Sequence, residues 1–309
     1  MLPKAAWPLI GNQVVLTSAV EATSPPCSLL TYPGLLGCIF AVIWIIFASN
    51  TPNDNRWISK AEKAYLNDEM SHLTAYQKSH RKVPWVSLLT ASCMIANLLC
   101  QFSYNFLQTI LQSYLPTYFK DALLVDLRRN GIYTALPSLS QLIFKNVLGV
   151  LSDRLKQANL IRPTAACKLF QAVSSFGAAI TLISLALFVD CTNPSLAVIL
   201  LILIAFCMSA ITPGFFTSLL SIAPQFTGII SSCSMVFGTL GNIAAPNLIG
   251  GFILKTGALE EWKLVFYVSA GICVFTGCVF MIFGSGEEQK WAKHVVTPTV
   301  EKQPKDITT

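Results

Sequence analysis

Apolar residues along this chain fall into long unbroken blocks parted by short polar joints. Seven blocks predict membrane-spanning helices: residues 33–49, 85–115, 130–151, 167–189, 195–217, 225–254 and 262–283. Runs of about 20 uncharged apolar residues cross a bilayer as helices, because lipid offers no partners to backbone N–H and C=O groups. The clearest stretch is residues 194–252, which holds no Asp, Glu, Lys, Arg or His. Its first half is rich in Leu and Ile all round. Its second half is studded with small residues, among them Ser231, Ser234, Gly238, Gly241, Ala245 and Gly250. It carries Asn242 and Asn247, and Pro246 interrupts it. Small residues let helices approach closely within a bilayer. The competing reading, two core helices of a soluble protein, asks for uncharged runs of a length that soluble cores rarely use.

The second block is polar in its middle. Asn97, Gln101, Tyr104, Asn105, Gln108 and Gln112 recur at three and four, which puts them on one helical face. Polar groups in one stripe of a spanning helix face protein or water rather than lipid. The stripe is a candidate lining for a substrate pathway; the alternative is interhelical hydrogen bonding that holds a bundle together. In the third block, Lys145 is the one formal charge deep in an apolar run. It lies eight positions before Asp153, about 12 Å along a helix. A charge at that depth is costly and marks a functional candidate, here one that attracts an anion. The alternative is that its long stem lets the ammonium snorkel to the surface. Gln141, one turn away, is its expected helper. Asn242 and Asn247 complete the candidate pathway residues.

Composition agrees with this pattern. Of 309 residues, 53% are hydrophobic and 12% charged, whereas a soluble domain carries about twice that charged share. The net charge of +6 is spread over the joints, which argues against a nucleic-acid surface. Ten Cys stand singly, mostly inside apolar blocks and without a Cys-x-x-Cys pair; His72, His80 and His294 lie outside the blocks. That pattern points away from a metal centre, a cofactor site or a disulfide framework. The sequence shows no nucleophile elbow, Walker loop or His–Glu zinc motif, and no paired acids at bilayer depth, so an enzyme is not expected.

The joints set the orientation. Residues 1–32 are irregular, broken by Pro3, Pro8, Pro25 and Pro26, and lack the pattern of a signal peptide. The largest hydrophilic insert, residues 50–84, contains Ser59-Lys60-Ala61-Glu62. This capping-box pattern predicts a short amphipathic helix to about Met70. With seven spans, the insert and the polar tail fall on one face. That face collects fourteen Lys and Arg, against five on the other (Lys120, Arg128, Arg129, Lys255 and Lys263). The positive-inside rule places the richer face in the cytosol.

Several motifs, in order, resemble a known family. Gln101-Phe102-Ser103-Tyr104-Asn105-Phe106 followed by Leu115-Pro116-Thr117-Tyr118 is similar to the seventh helix of the major-facilitator anion transporters. That family includes sialin, the vesicular glutamate transporters and the sodium–phosphate cotransporters. Ala135-Leu136-Pro137 and Ser152-Asp153-Arg154-Leu155 resemble its eighth helix and the loop after it; Ile222-Ala223-Pro224 resembles its loop between the tenth and eleventh helices. Glu261-Trp262, Val265-Phe266-Tyr267, Gly286-Glu287 and Trp291-Ala292 resemble its last helix and exit. There are departures. Leu219-Leu220-Ser221 stands where the family has His–Leu–Asp, Gln101 where sialin-like members have His, Phe106 where they have Trp, and Lys145 where many relatives are apolar.

The resemblance implies an all-α membrane protein with a partial major-facilitator fold. Residues 1–32 would be a remnant of the fifth helix and 33–49 the sixth-type helix. Residues 50–84 would be the cytosolic loop between halves, 85–284 the C-terminal six-helix half and 285–309 a cytosolic tail. Such transporters have two six-helix halves and bind substrate between them. The first four helices, which in this family carry groups used in anion binding and coupling, have no counterpart in this sequence, so a truncated form is expected. The implied function is transmembrane transport of organic or inorganic anions. The implied partners are the lipid bilayer, a small anion, Na+ or H+ as coupling ion, and another chain supplying the missing half. The implied membrane is the plasma membrane or an endolysosomal or vesicular one. The alternative is a non-transporting membrane partner or regulator derived from such a transporter.

Overall fold

The computed structural model describes residues 26–49, 58–67, 84–123, 127–158, 161–189, 193–253, 258–289 and 292. They are almost all helical, and no strand occurs among them. The chain divides into two units, residues 1–83 and 84–309.

In the first unit, helix α1 spans Pro26–Phe47. It starts seven residues before the predicted boundary at Pro33. A Pro fits a first helical position, where its missing N–H would have no partner anyway. Phe40 and Trp44, one turn apart, lie 6.0 Å apart between ring centroids. Helix α2 covers 60–67, opening where the capping-box pattern predicted, and Lys63 N–H donates to Ser59 C=O at 2.9 Å. The predicted remnant helix of the fifth-helix type lies outside the described residues up to Pro26.

Among its described residues, the second unit is a bundle of six helical arms. Its first arm begins with α3 (Trp85–Thr90), turns at Ala91, and continues as α4 (Ser92–Thr109). It then runs through a wide turn at Ile110–Tyr114 and another at Tyr118–Ala122. Pro116 lies between them and has no N–H to offer the residue four earlier, which is a recognised cause of such wide turns. The second arm is α5 (Leu127–Gln157), which carries Pro137 inside it and Arg154 and Lys156 in its last turn. Cations there favour the negative end of the helix dipole. The third is α6 (Pro163–Phe188). The fourth is α7 (Pro194–Ser209), a break at Thr212–Phe216, and α8 (Thr217–Ile222). The fifth is α9 (Thr227–Leu248) and the sixth α10 (Leu259–Phe283).

Among the described residues, four stretches are long and apolar enough to cross a membrane by composition: Pro163–Phe188, Pro194–Ile222, Pro224–Gly251 and Leu259–Phe283. α4 and α5 are the less apolar arms, because one carries the polar stripe and the other carries Lys145 with charged ends. The distribution of side chains suits lipid. Ile143, Ile180, Ile199, Val236 and Phe275 point outward and are more than half exposed, while Asn97, Gln171, Ser174, Ser218 and Thr276 are buried inside. Lipid solvates the outer apolar face, and polar groups gain by pairing within the bundle.

The arms pack as a row of neighbours: α5 on α7, α7 on α6, α6 on α10, α10 on α4, and α4 on α9. The main core joins α6, α7, α10 and the end of the first arm, around Leu182, Leu185, Leu201, Ile204 and Phe266. There the Tyr118 ring meets Trp262 and Phe266 edge-on, at 5.3 Å and 5.2 Å. Edge-to-face pairs of this kind add about 0.5–1.5 kcal/mol beyond the area they bury.

Candidate functional site

Between α4 and α5 the backbones make no extended contact, and long polar side chains cross the space instead. Lys145 Nζ of α5 donates a hydrogen bond to Tyr104 OH of α4 at 3.2 Å and stands 5.8 Å from the ring centroid. One turn along, Gln141 Nε2 donates to Gln108 Oε1 at 3.3 Å. Ser209 of α7 closes one side, its hydroxyl 3.2 Å from Gln141 C=O. Tyr104, Gln108, Gln141 and Lys145 are all half-buried. The expected partnership of Gln141 with Lys145 is replaced by two parallel bridges, each spanning from α5 to α4.

The electrostatics of this gap are lopsided. Lys145 has no carboxylate partner among the described residues; a phenol oxygen and a ring face are what it meets. An ammonium has three protons to give, and the Tyr104 bond uses one of them. A half-buried cation without a counter-charge has lost part of its hydration and regained little. The arrangement can accept an anion: a charge from the ammonium, and amide N–H groups from Gln108 and Gln141 that can turn toward it.

The rest of the polar stripe on α4 serves other neighbours. Gln101 and Asn105 face α9, where the buried row is Ile230, Ser234, Gly238, Gly241 and Ala245. Asn105 Nδ2 bonds back to Gln101 C=O at 2.9 Å, and further along Thr109 Oγ1 donates to Asn242 Oδ1 at 2.9 Å. At Gly241 the two backbones nearly touch: a Cβ there would lie 2.5 Å from Phe102 C=O and 3.1 Å from Phe106 N. Asn97 is fully buried and tied to Cys93 C=O at 2.8 Å and to Ser218 Oγ at 3.3 Å. Ser218 in turn donates to Ser285 C=O, so this end of the stripe fastens α8 and the exit of α10. Asn247 is exposed on α9 and bonds to Ile243 C=O in its own helix at 2.8 Å. The structure therefore brings together Tyr104, Gln108, Gln141 and Lys145, places Gln101, Asn105 and Asn242 on a second seam, and sets Asn97 and Asn247 apart.

One residue outside the predicted set has a defined task. Gly214 breaks the fourth arm with a non-helical backbone (φ −78°, ψ −114°). The freed N–H of Phe215 donates to Gln171 Oε1 of α6 at 3.1 Å, while Gln171 Nε2 donates to Ser175 Oγ at 2.9 Å. A helix break within a membrane needs such a substitute partner. The Pro213-Gly214 pair in an apolar block was the available signal for the break; a single Gln in α6 gave no spacing to read.

Comparison with known proteins agrees with this architecture. The Major Facilitator Superfamily pattern matches residues 28–246. The chain is similar to an uncharacterized transporter of Caenorhabditis elegans, 35% identical over 291 residues, covering 92% of this chain and 54% of that protein. It is similar to human sialin, 31% identical over 259 residues, 84% of this chain and 51% of sialin. It is also similar to rat sodium-dependent phosphate transport protein 1, 28% identical over 277 residues, 88% of this chain and 58% of the relative. The chain thus spans about half the length of the curated relatives it matches. A helical bundle with a family pattern over most of its length settles the class: the chain belongs to the major facilitator superfamily, with a partial form of that fold.

Proposed function

We propose that this chain takes part in moving small anions, inorganic phosphate or organic carboxylates, across a membrane, with the gap between α4 and α5 on the substrate path. The observation that carries this reading is Lys145: a half-buried ammonium, facing a polar gap, without a carboxylate partner among the described residues. Relatives named as sialin and as phosphate cotransporters support the anion class. In this reading Tyr104 holds the ammonium in place, Gln108 and Gln141 supply amide hydrogen bonds, and Asn242 lines the second seam. Na+ or H+ drives the movement, and the Lys- and Arg-rich insert and tail lie in the cytosol of a plasma, endolysosomal or vesicular membrane. Members of this superfamily bind substrate between two six-helix halves, so a further chain supplying facing groups fits the same reading.

Reconstitution tests it. The full chain in proteoliposomes is given radiolabelled phosphate or glutamate, with and without an inward Na+ or H+ gradient. Saturable uptake above protein-free vesicles is expected, lost in Lys145→Gln. Uptake equal to protein-free vesicles argues for the second reading, a membrane partner without flux of its own. The chain's span of about half its relatives' length favours testing that reading beside the first.

A further inference from the structure

A small cavity lies inside the bundle, walled by α4, α6, α7 and α10. Cys100, Ser103, Tyr104, Gln171, Ser174 and Ser175 give it a polar lining, and Met208 and Cys273 are also part of the wall. It leaves about 20 Å³ for the centre of a water-sized sphere, above the roughly 10–15 Å³ that one water needs. A water of this kind also needs about two to four polar partners, and the wall has them to spare. Ser174 is only 4% exposed and lines the cavity beside Ser175. Ser175 accepts from Gln171 and keeps its own proton to give. Ser103 has only a long contact of 3.7 Å to Cys273 Sγ.

We propose that the cavity is a built site for one internal water molecule, held by the hydroxyls of Ser174 and Ser175. The water ties α6 to α4 beside two features already described. Tyr104 lines the cavity on one flank and holds Lys145 on the other. Gln171 lines it too, and steadies the break at Gly214. Filled, the cavity gives the broken arm and the candidate anion site a common support. This follows from the packing alone and stands whether or not the chain carries anions.

Millisecond X-ray radiolysis of the purified full chain, read site by site by mass spectrometry, tests the proposal. Hydroxyl radicals born from an internal water oxidise the side chains touching it, sulfur first. Cys100, Met208 and Cys273 line the cavity; Met94 and Cys167 are equally buried and do not. Oxidation of the first three is expected several-fold faster than of the last two. Equal rates in the two groups overturn the proposal. In Ser174→Val, which replaces the hydroxyl by methyls, Cys100, Met208 and Cys273 are expected to fall to the level of Met94. The exposed Met235 and Met281 should stay unchanged and report an intact fold. Undiminished oxidation in that variant, with Met94 still protected, overturns the assignment to Ser174.

Discussion

Gly241 is where α4 and α9 come closest, and adding one methyl there puts a number on that approach. A Cβ at this position meets Phe102 C=O at 2.5 Å, against an ordinary contact of 3.4 Å or more. The obstacle is backbone, which has no rotamer to move into. α9 must therefore retreat by about 0.9 Å, and a gap of that size forfeits a quarter to a half of the dispersion attraction along the seam. Overpacking of this sort costs about 1–3 kcal/mol. Replacing Gly by Ala inside a helix returns roughly 0.5–1 kcal/mol. The net loss is about 1–2 kcal/mol, or about 2–8 °C in Tm for a unit of this size. At Gly238 the same methyl meets Asn105 Nδ2 at 2.7 Å and Gln101 Nε2 at 3.0 Å, the far ends of side chains that can swing, Asn105 giving up its bond to Gln101 C=O. At Gly228 it meets nothing within 4 Å. Thermal unfolding in detergent should therefore rank Gly241→Ala well below Gly238→Ala, with Gly228→Ala at or above the wild type. A Gly241→Ala protein as stable as Gly228→Ala would refute the close seam.

Other outcomes follow from the same contacts. Gln171→Leu leaves the Phe215 N–H without its acceptor, a loss of about 1–3 kcal/mol, and lowers Tm in detergent; an unchanged Tm would show that the break at Gly214 needs no partner. Ile180→Arg puts a charge on the outer face of α6, at a cost of about 2.5–3.5 kcal/mol in a bilayer. Its membrane-inserted fraction should drop, while Ile180→Leu matches the wild type in carbonate extraction. Asn97→Leu changes stability but leaves any anion-dependent response intact, because Asn97 is tied to Cys93 and Ser218 rather than to Lys145; a lost response would return it to the site.

The sequence shows the spans because lipid demands continuous apolar helices, and that demand leaves a long signal in each of Pro163–Phe188, Pro194–Ile222, Pro224–Gly251 and Leu259–Phe283. The polar stripe was legible too, since a spacing of three and four defines a helix face. What spacing leaves open is the neighbour. Asn97, Gln101 and Tyr104 share one face of α4 yet meet α8, α9 and α5 in turn, because a face is wide enough to touch several helices. Lys145 stood out as a charge in an apolar run, but its bond to Tyr104 depends on how α5 is set against α4. Gln171 escaped notice for the opposite reason: its task is defined by a break in another helix, 44 residues away in the chain.

In this reading an anion meets the Lys145 ammonium, and ligand-dependent stability measures that most directly. The purified chain is titrated with phosphate or glutamate at constant ionic strength, with chloride as the control, and Tm is followed. A ligand at 100 times its Kd stabilises by about 2.7 kcal/mol, or about 5–11 °C for a unit of this size. The account predicts a saturable rise for the wild type with at least one of the two anions, and none in a folded Lys145→Gln variant. No rise with either anion in the wild type, or an equal rise in both proteins, would contradict it.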